Sequence, residues 1–183
     1  MRHGLLALVL AMGLPATGWA EGCAPVPDTR AEIAGLHAQL QAAPSETAAR
    51  PLIGALWQVW TRAPDAAAQA LLDEGMRKRR EYDFAGAVEV FDALIAYCPD
   101  YAEGWNQRAF ARFLQDRYDA ALGDLDRALA LSPTHTAALS GKALTLIRMG
   151  RMGLAQDVLR AAVALNPWLP ERVYLLRPPG REL

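Results

Sequence analysis

Three prolines in the second half of the chain, Pro99, Pro133 and Pro167, recur at a spacing of 34 residues. Proline has no amide hydrogen to donate and disfavours helix in the residue before it, so each proline is expected to end a helix. The spacing therefore predicts three successive units of one structure. Closed by the three prolines, the units are residues 68–101, 102–135 and 136–169.

Equivalent positions of the three units carry side chains of similar size. Each unit has a small residue in its first half, a bulky residue that opens its second half, and another small residue three positions later. These are Gly75, Ala109 and Ala143, then Phe84, Tyr118 and Met152, then Ala87, Ala121 and Ala155. Small residues where two helices cross let the backbones approach to within ~8 Å. The pattern therefore predicts a hairpin of two packed helices in every unit.

This pattern resembles the tetratricopeptide repeat, a helix-turn-helix unit of the same length. The second unit carries it most completely, with Trp105, Ala109, Tyr118, Ala121 and Pro133. The resemblance implies an all-α fold, a short solenoid of antiparallel helix hairpins. One hairpin cannot bury its apolar face alone, so neighbouring hairpins are expected to stack and to form a concave and a convex side.

The resemblance also implies a groove that the first helix of each repeat lines. Carried over one by one, the groove positions are Leu72, Met76, Arg79, Asn106, Phe110, Phe113, Ser140, Leu144 and Ile147. A peptide or protein segment would bind there, with Asn106 holding its backbone and Phe110 and Phe113 receiving an apolar side chain. The alternative is that these residues contact the next helix, because so short a superhelix curves little.

One subfamily of the resembling proteins grips acidic C-terminal peptides of chaperones with a carboxylate clamp of Lys, Asn and Arg. The corresponding positions here are Leu72, Met76, Gln107, Ala137 and Gly141. The clamp is absent, so this class of partner is not expected.

Residues 1–20 have the features of a secretory signal peptide. Arg2 supplies positive charge, residues 4–14 are apolar, and Gly18 and Ala20 are small residues at the positions that signal peptidases favour. We expect cleavage after Ala20 and a periplasmic or secreted protein with no stable membrane span. An uncleaved anchor and a lipoprotein acylated at Cys23 are the alternatives.

The residues before the first repeat are expected to form a linker and a helical pair. Residues 21–28 are proline-rich and are predicted to be flexible, whereas residues 29–63 show helical spacing. We interpret the pair as a degenerate repeat or an N-terminal cap. Its tryptophans, Trp57 and Trp60, are expected to pack against the first full repeat.

Two cysteines, Cys23 and Cys98, remain in the mature chain. An oxidising compartment permits a disulfide between them. Alternatively, Cys98 is a small half-buried residue at a helix end and Cys23 is a free thiol. No C-x-x-C motif is present, which disfavours a thiol oxidoreductase.

No constellation of catalytic residues is evident. The mature chain holds two histidines, His37 and His135, which are expected at the surface. Asp119, Asp124 and Asp126 are expected on the solvent face of one helix. No metal-ligand spacing or phosphate-binding loop occurs, so we expect no enzyme activity, cofactor or metal. The formal net charge of −1 disfavours a nucleic-acid partner.

Residues 170–183 form a short tail that makes a poor capping helix. Either its apolar residues fold back over the third repeat, or that end of the solenoid self-associates.

The sequence as a whole favours a cell-envelope scaffold that binds a protein or peptide partner. The alternatives are a structural homodimer through the C-terminal end and a redox-linked protein that uses Cys23 and Cys98.

Overall fold

A computed structural model describes residues 22–176 of the protein; the expected signal peptide and residues 177–183 lie outside the described residues. Within residues 22–176 there are eight α-helices, one short 3₁₀ helix at Pro170–Tyr174, and no strand. The α-helices are α1 Arg30–Ala42, α2 Glu46–Trp60, α3 Ala66–Arg80, α4 Phe84–Tyr97, α5 Ala102–Leu114, α6 Tyr118–Leu131, α7 Thr136–Arg148 and α8 Met152–Leu165. The predicted all-α solenoid of antiparallel hairpins is confirmed.

The repeating prolines end the second helix of each repeat. Cys98, Ser132 and Asn166 directly precede them, leave helical geometry, and still donate their amides to carbonyls of the helix's last turn. A residue before proline avoids the helical region, which is why all three helices end at the same position. The chain then turns back and starts the next hairpin.

The small residues of the repeats lie where the two helices of a hairpin touch. A Cβ atom added to Gly75 would overlap the ring of Phe91, so the first repeat requires glycine there. The equivalent Ala109 and Ala143 are fully buried. Phe91 itself packs with Leu72 and Ala87 in the core of the first repeat. The backbones therefore approach as closely as the sequence predicts.

The turn inside each repeat contains one residue in the left-handed conformation. Tyr82, Asp116 and Gly150 have φ values of 65°, 57° and 72°, and they occupy equivalent positions. This region costs residues other than glycine about 1 kcal/mol. The same turn therefore joins the two helices of each repeat.

An ion-pair cluster joins α5 and α6, the two helices of the second repeat. Asp124 is only 4% exposed and accepts hydrogen bonds from Arg108 at 2.6 Å and Arg112 at 2.7 Å. The expected solvent position of Asp124 is wrong, because both guanidinium groups reach across from α5 to cover it. Asp119 and Asp126 on the same helix are exposed, as expected.

The N-terminal helical pair does not stack on α3 as α4 stacks on α5. Instead, α1 packs against α8, and Gln41 donates a hydrogen bond to the carbonyl of Ala164 at 2.7 Å. The indole of Trp168 donates to the carbonyl of Leu40 at 3.0 Å. We call α1 and α2 together the N-terminal hairpin. It folds back over the later repeats rather than extending the solenoid.

The expected packing of Trp57 and Trp60 against the first repeat is therefore wrong for their rings. Trp60 stacks on His135 at a centroid distance of 4.2 Å, at the junction of the second and third repeats. The Trp60 carbonyl does reach the first repeat, where it accepts a hydrogen bond from the Tyr101 hydroxyl. The apolar residues of α2 are buried there, and Trp168 packs against the same cluster.

Cys23 and Cys98 form a disulfide in the structure. Beside it, the carboxylate of Asp65 caps α3 through the amide of Ala68 and also accepts the amide of Ala24. These backbone hydrogen bonds favour the charged carboxylate and lower the pKa of Asp65. The segment that leads into the N-terminal hairpin is thus tied to the first repeat.

The 3₁₀ helix Pro170–Tyr174 folds back on α8. The side chain of Gln156 donates to the carbonyl of Tyr174 at 2.9 Å and accepts the amide of Leu176 at 2.8 Å. Val173, Tyr174 and Leu176 nevertheless remain exposed. The C-terminal end of the solenoid is covered only in part.

None of the helices in residues 22–176 is both long enough and apolar enough to cross a membrane.

Candidate functional site

A groove of about 430 Å³ lies between the N-terminal hairpin and the concave side of the solenoid. Helix α2 forms one wall, and α5 and α7 form the other. Asn166 and residues 168–171, which follow α8, line the groove as well. We call this space the α2 groove.

Aromatic side chains dominate the α2 groove. Trp57 is 39% exposed and Phe110 is 46% exposed, although both point into a concave surface. Phe113 and Trp168 also line it. The guanidinium of Arg79 lies 4.4 Å from the centre of the Phe110 ring, which holds that ring in place. The protein therefore leaves large apolar side chains open to a ligand.

Five of the nine residues carried over from the family line the α2 groove, and they come from α5 and α7. They are Asn106, Phe110, Phe113, Ser140 and Leu144. These two helices keep the register of the repeat, so the residue-by-residue transfer places them in the groove.

The other four residues do not line this groove. Leu72 is fully buried in the core of the first repeat, beside Ala111 of α5, so its assignment to an open groove is wrong. The first repeat packs too closely on the second there, which is the alternative that the sequence left open. Met76 packs on the same core, Arg79 stacks on Phe110, and Ile147 is half-buried.

The sequence does not predict the groove residues that the N-terminal hairpin and the segment after α8 contribute. Ile53, Trp57 and Trp60 of α2 belong to an apolar stripe that is visible in the sequence, but nothing local indicates which surface it meets. Gln107 occupies one of the carboxylate-clamp positions, where the sequence indicates only that the clamp is absent. No sequence signal indicates Trp168.

Three polar atoms of the groove lining are buried without a hydrogen-bond partner among residues 22–176. They are Trp60 Nε1, Gln107 Oε1 and Ser140 Oγ. Each parent side chain is at least nine-tenths buried. A buried polar group without a hydrogen-bond partner costs about 1–3 kcal/mol, so such groups are rare in folded proteins.

A buried polar network lies beneath the groove. The carboxylate of Glu103 accepts hydrogen bonds from Asn106, Gln107 and His135. The expected surface positions of His135 and His37 are both wrong, because the N-terminal hairpin covers His135 and buries His37 of α1 on the side that faces it. Burial, together with the nearby His135, lowers the pKa of His37. This network fixes the amide side chains of Asn106 and Gln107.

Charged residues line the α2 groove only at its edge. Among the described residues these are Glu46, Arg50 and Glu171, of which the first two are exposed. Glu46 also accepts a hydrogen bond from Arg172 at 3.3 Å. The interior of the groove is therefore apolar with uncharged polar groups.

Residues 22–176 contain one close group of potential metal ligands, but this group does not form a metal site. Cys23, Asp65 and Cys98 lie within 4.8 Å of one another. The disulfide uses both sulfur atoms, and the Asp65 carboxylate already accepts backbone amides.

Residues 112–176 match the family model of the tetratricopeptide repeat. The chain is 33% identical over 91 residues to a TPR repeat-containing protein of Rhizobium etli, which covers 50% of this chain and 45% of that protein. This chain thus spans less than half the length of that relative. Against tetratricopeptide repeat protein 36 of Bos taurus, the identity is 33% over 126 residues, covering 66% of this chain and 67% of the bovine protein.

Among solved structures, the first TPR of Spaghetti (RPAP3), bound to the HSP90 peptide SRMEEVD, is similar with a TM-score of 0.57 at 20% identity. The match covers 58% of this chain and 84% of that one, and it shows a shared fold. The proline spacing, the hairpin geometry and these alignments agree with one another. The chain belongs to the tetratricopeptide repeat family.

Proposed function

We propose that this protein is an interaction scaffold of the cell envelope that binds a segment of another protein in the α2 groove. The observation that carries the proposal is the exposure of Phe110 and Trp57 inside a concave surface. Open apolar side chains in a cleft are typical of binding sites. The similar RPAP3 domain, solved with a peptide bound, supports a peptide as the ligand.

Export is part of the proposal. It rests on the signal-peptide features of residues 1–20 and is supported by the Cys23–Cys98 disulfide, since disulfides persist in oxidising compartments. N-terminal sequencing of the protein recovered from the periplasm or the medium tests it. We expect the mature chain to begin at Glu21, whereas a cytoplasmic protein beginning at Met1 would contradict export.

Affinity capture from envelope extract tests the binding role. The wild-type protein is compared with a Phe110→Ala, Phe113→Ala double variant and with Tyr82→Ala, which changes an exposed turn residue outside the α2 groove. We expect the double variant to lose partners that the wild type and Tyr82→Ala retain. Equal capture by all three proteins, with equal helicity by circular dichroism, would show that the groove is not the binding site.

A homodimer is the second candidate function, because Val173, Tyr174 and Leu176 are exposed at the C-terminal end. Exposed apolar clusters at the end of a solenoid favour self-association. Sedimentation at increasing protein concentration decides between the two. A dimer that Val173→Asp and Leu176→Asp dissociate would support this candidate, and a monomer at all concentrations would remove it.

A further inference from the structure

We infer that Arg79 binds the carboxylate of an Asp or Glu side chain in the segment of another protein that occupies the α2 groove. This inference rests on the proposed function and names the chemistry of the partner, an acidic side chain next to apolar residues. The guanidinium of Arg79 is unpaired, it is accessible, and it lies over a ring that lines the groove.

Arg79 differs from the two cations that precede it on α3. Arg77 pairs with Glu74 at 2.6 Å. Lys78 pairs with Asp83 at 3.0 Å. In the part of the chain that the structure describes, no ion pair or hydrogen bond joins the side chain of Arg79 to another residue. The charge of Arg79 is therefore available to a ligand.

The side chain of Arg79 is half-buried, so its charge has lost part of its hydration without gaining a counter-ion. Burial is the main cause of the lowered pKa of Arg79. The buried carboxylate of Glu103 offsets this effect only in part and forms no ion pair with Arg79. A partly desolvated cation without a partner gains most from a ligand of the opposite charge.

The nitrogen atoms of Arg79 are open to a ligand. The polar atoms Gln107 Oε1 and Ser140 Oγ of the groove lining have almost no accessible surface, whereas no nitrogen atom of Arg79 is buried without a partner. A segment in the groove therefore reaches the guanidinium directly, although it does not reach those two oxygen atoms.

The ring of Phe110 places the guanidinium of Arg79 at the border of the α2 groove. The guanidinium carbon lies 4.4 Å from the centre of the ring, and Phe110 is an exposed part of the groove lining. A guanidinium over an aromatic face keeps its N–H groups free for a bidentate contact with a carboxylate. A segment that covers Phe110 with an apolar side chain thus brings a neighbouring acidic side chain to Arg79.

The other charges around the groove also favour an acidic ligand over a basic one. Glu46 of the lining is already paired with Arg172. Arg50 and Glu171 of the lining form no ion pair within residues 22–176. Together with Arg79, the border of the groove therefore has two unpaired cations and one unpaired carboxylate among these residues.

An acidic side chain fits this site better than a chain terminus does. The five positions that would clamp a terminal carboxylate in the tetratricopeptide repeat carry no charged residue in this chain. Arg79 lies outside those positions and offers one planar fork, which matches the single carboxylate of an Asp or Glu side chain.

Selection from a random dodecapeptide library displayed on phage tests the ligand chemistry on the purified protein. The wild type is compared with Arg79→Gln and with Arg117→Gln, since Arg117 is an exposed arginine outside the groove lining. We expect the wild type and Arg117→Gln to enrich peptides with Asp or Glu beside an aromatic or large aliphatic residue, and Arg79→Gln to lose the acidic preference. No acidic preference in the wild type, or no binding peptide, would overturn the inference.

Isothermal titration calorimetry with the most enriched peptide, amidated at its C-terminus, measures the contact. Replacement of its acidic residue by Gln should weaken binding to the wild type at least about tenfold, because a charge-assisted hydrogen bond is lost. The same replacement should have little effect on binding to Arg79→Gln, where the cation is already absent. Equal losses for the two proteins, or binding that requires a free terminal carboxylate, would overturn the inference. Equal helicity of the variants by circular dichroism is the control for folding.

The inference and the proposed function fail separately. Capture from envelope extract that depends on Phe110 and Phe113 but not on Arg79 leaves the scaffold role and removes the inference. A dimer that Arg79→Gln dissociates would show that the acidic segment belongs to a second copy of the chain, which also removes it. If the Phe110→Ala, Phe113→Ala variant captures the same proteins as the wild type, both proposals are wrong.

Discussion

Glu103 of α5 and His135, the residue that caps α7, are joined by a 2.8 Å hydrogen bond in a site where each side chain is 1% exposed. His135 Nδ1 accepts the amide of Ala138, so Nε2 carries the hydrogen that is donated to Glu103. The indole of Trp60 stacks on the same imidazole. One histidine thereby joins the second repeat, the third repeat and the N-terminal hairpin.

Trp60→Ala is expected to destabilise the protein by about 3–5 kcal/mol, because the indole is 6% exposed and its removal leaves a cavity over His135. Trp57→Ala, three residues earlier on α2, should cost about 1 kcal/mol, since this ring is 39% exposed. Urea denaturation gives both free energies of unfolding. Similar losses for the two variants would contradict the fold-back of the hairpin.

Asp124→Ala is expected to cost about 3–5 kcal/mol, because it removes the buried carboxylate that Arg108 and Arg112 share, and Asp92, their other partner, is 51% exposed. The matched control is Asp119→Ala on the same helix, where the carboxylate is exposed and the change should stay within about 0.5 kcal/mol. Thermal unfolding of the two variants measures the difference. If Asp119→Ala lowered the thermal stability as much as Asp124→Ala, the burial of the Asp124 carboxylate would not explain the loss.

Cys23→Ala combined with Cys98→Ala is expected to lower the free energy of unfolding by about 4 kcal/mol, since the disulfide closes a loop with a sequence separation of 75 residues. Reduction of the wild type in dithiothreitol should have the same effect and should leave the double variant unchanged. Urea denaturation with and without reductant measures both. A folded double variant that loses only its cellular function would instead favour the redox-linked alternative.

Stability should decrease as the pH falls below about 6.5, the ordinary pKa of histidine. The folded state lowers the pKa of His37, so the unfolded chain takes up the proton first and the contribution of the neutral imidazole is lost on acidification. Uptake of one proton lowers the free energy of unfolding by at most about 1.4 kcal/mol per pH unit. We expect His37→Leu to flatten the dependence of unfolding free energy on pH between 7.5 and 5.5. An unchanged slope in the variant would contradict the role of His37.

The repeats were predictable because their signals are local. Pro99, Pro133 and Pro167 end helices through their own chemistry, and the small residue at Gly75 and its equivalents is dictated by a neighbour within the same hairpin. The groove residues of α5 and α7 followed from the same register. The fold class and half of the groove could therefore be derived from the sequence.

The N-terminal hairpin was not predictable, because its contacts join distant parts of the chain. The hydrogen bond from Trp168 to the Leu40 carbonyl spans 128 residues, and no pattern near either residue indicates it. His135 was expected at the surface because a polar residue near a turn is usually solvated. Only the fold-back of the hairpin buries it. The fold-back of the N-terminal hairpin thus explains both the groove wall and the buried histidines that the sequence does not predict.

Site-specific photo-crosslinking in living cells tests the central claim, that the α2 groove holds a segment of another protein. A benzoylphenylalanine at position 110 replaces a groove side chain, and the same probe at position 82 replaces an exposed turn residue outside the groove. We predict that the probe at position 110 forms an adduct with another protein and that this adduct is absent at position 82. Identical adducts at both positions, or none at position 110, would contradict the account.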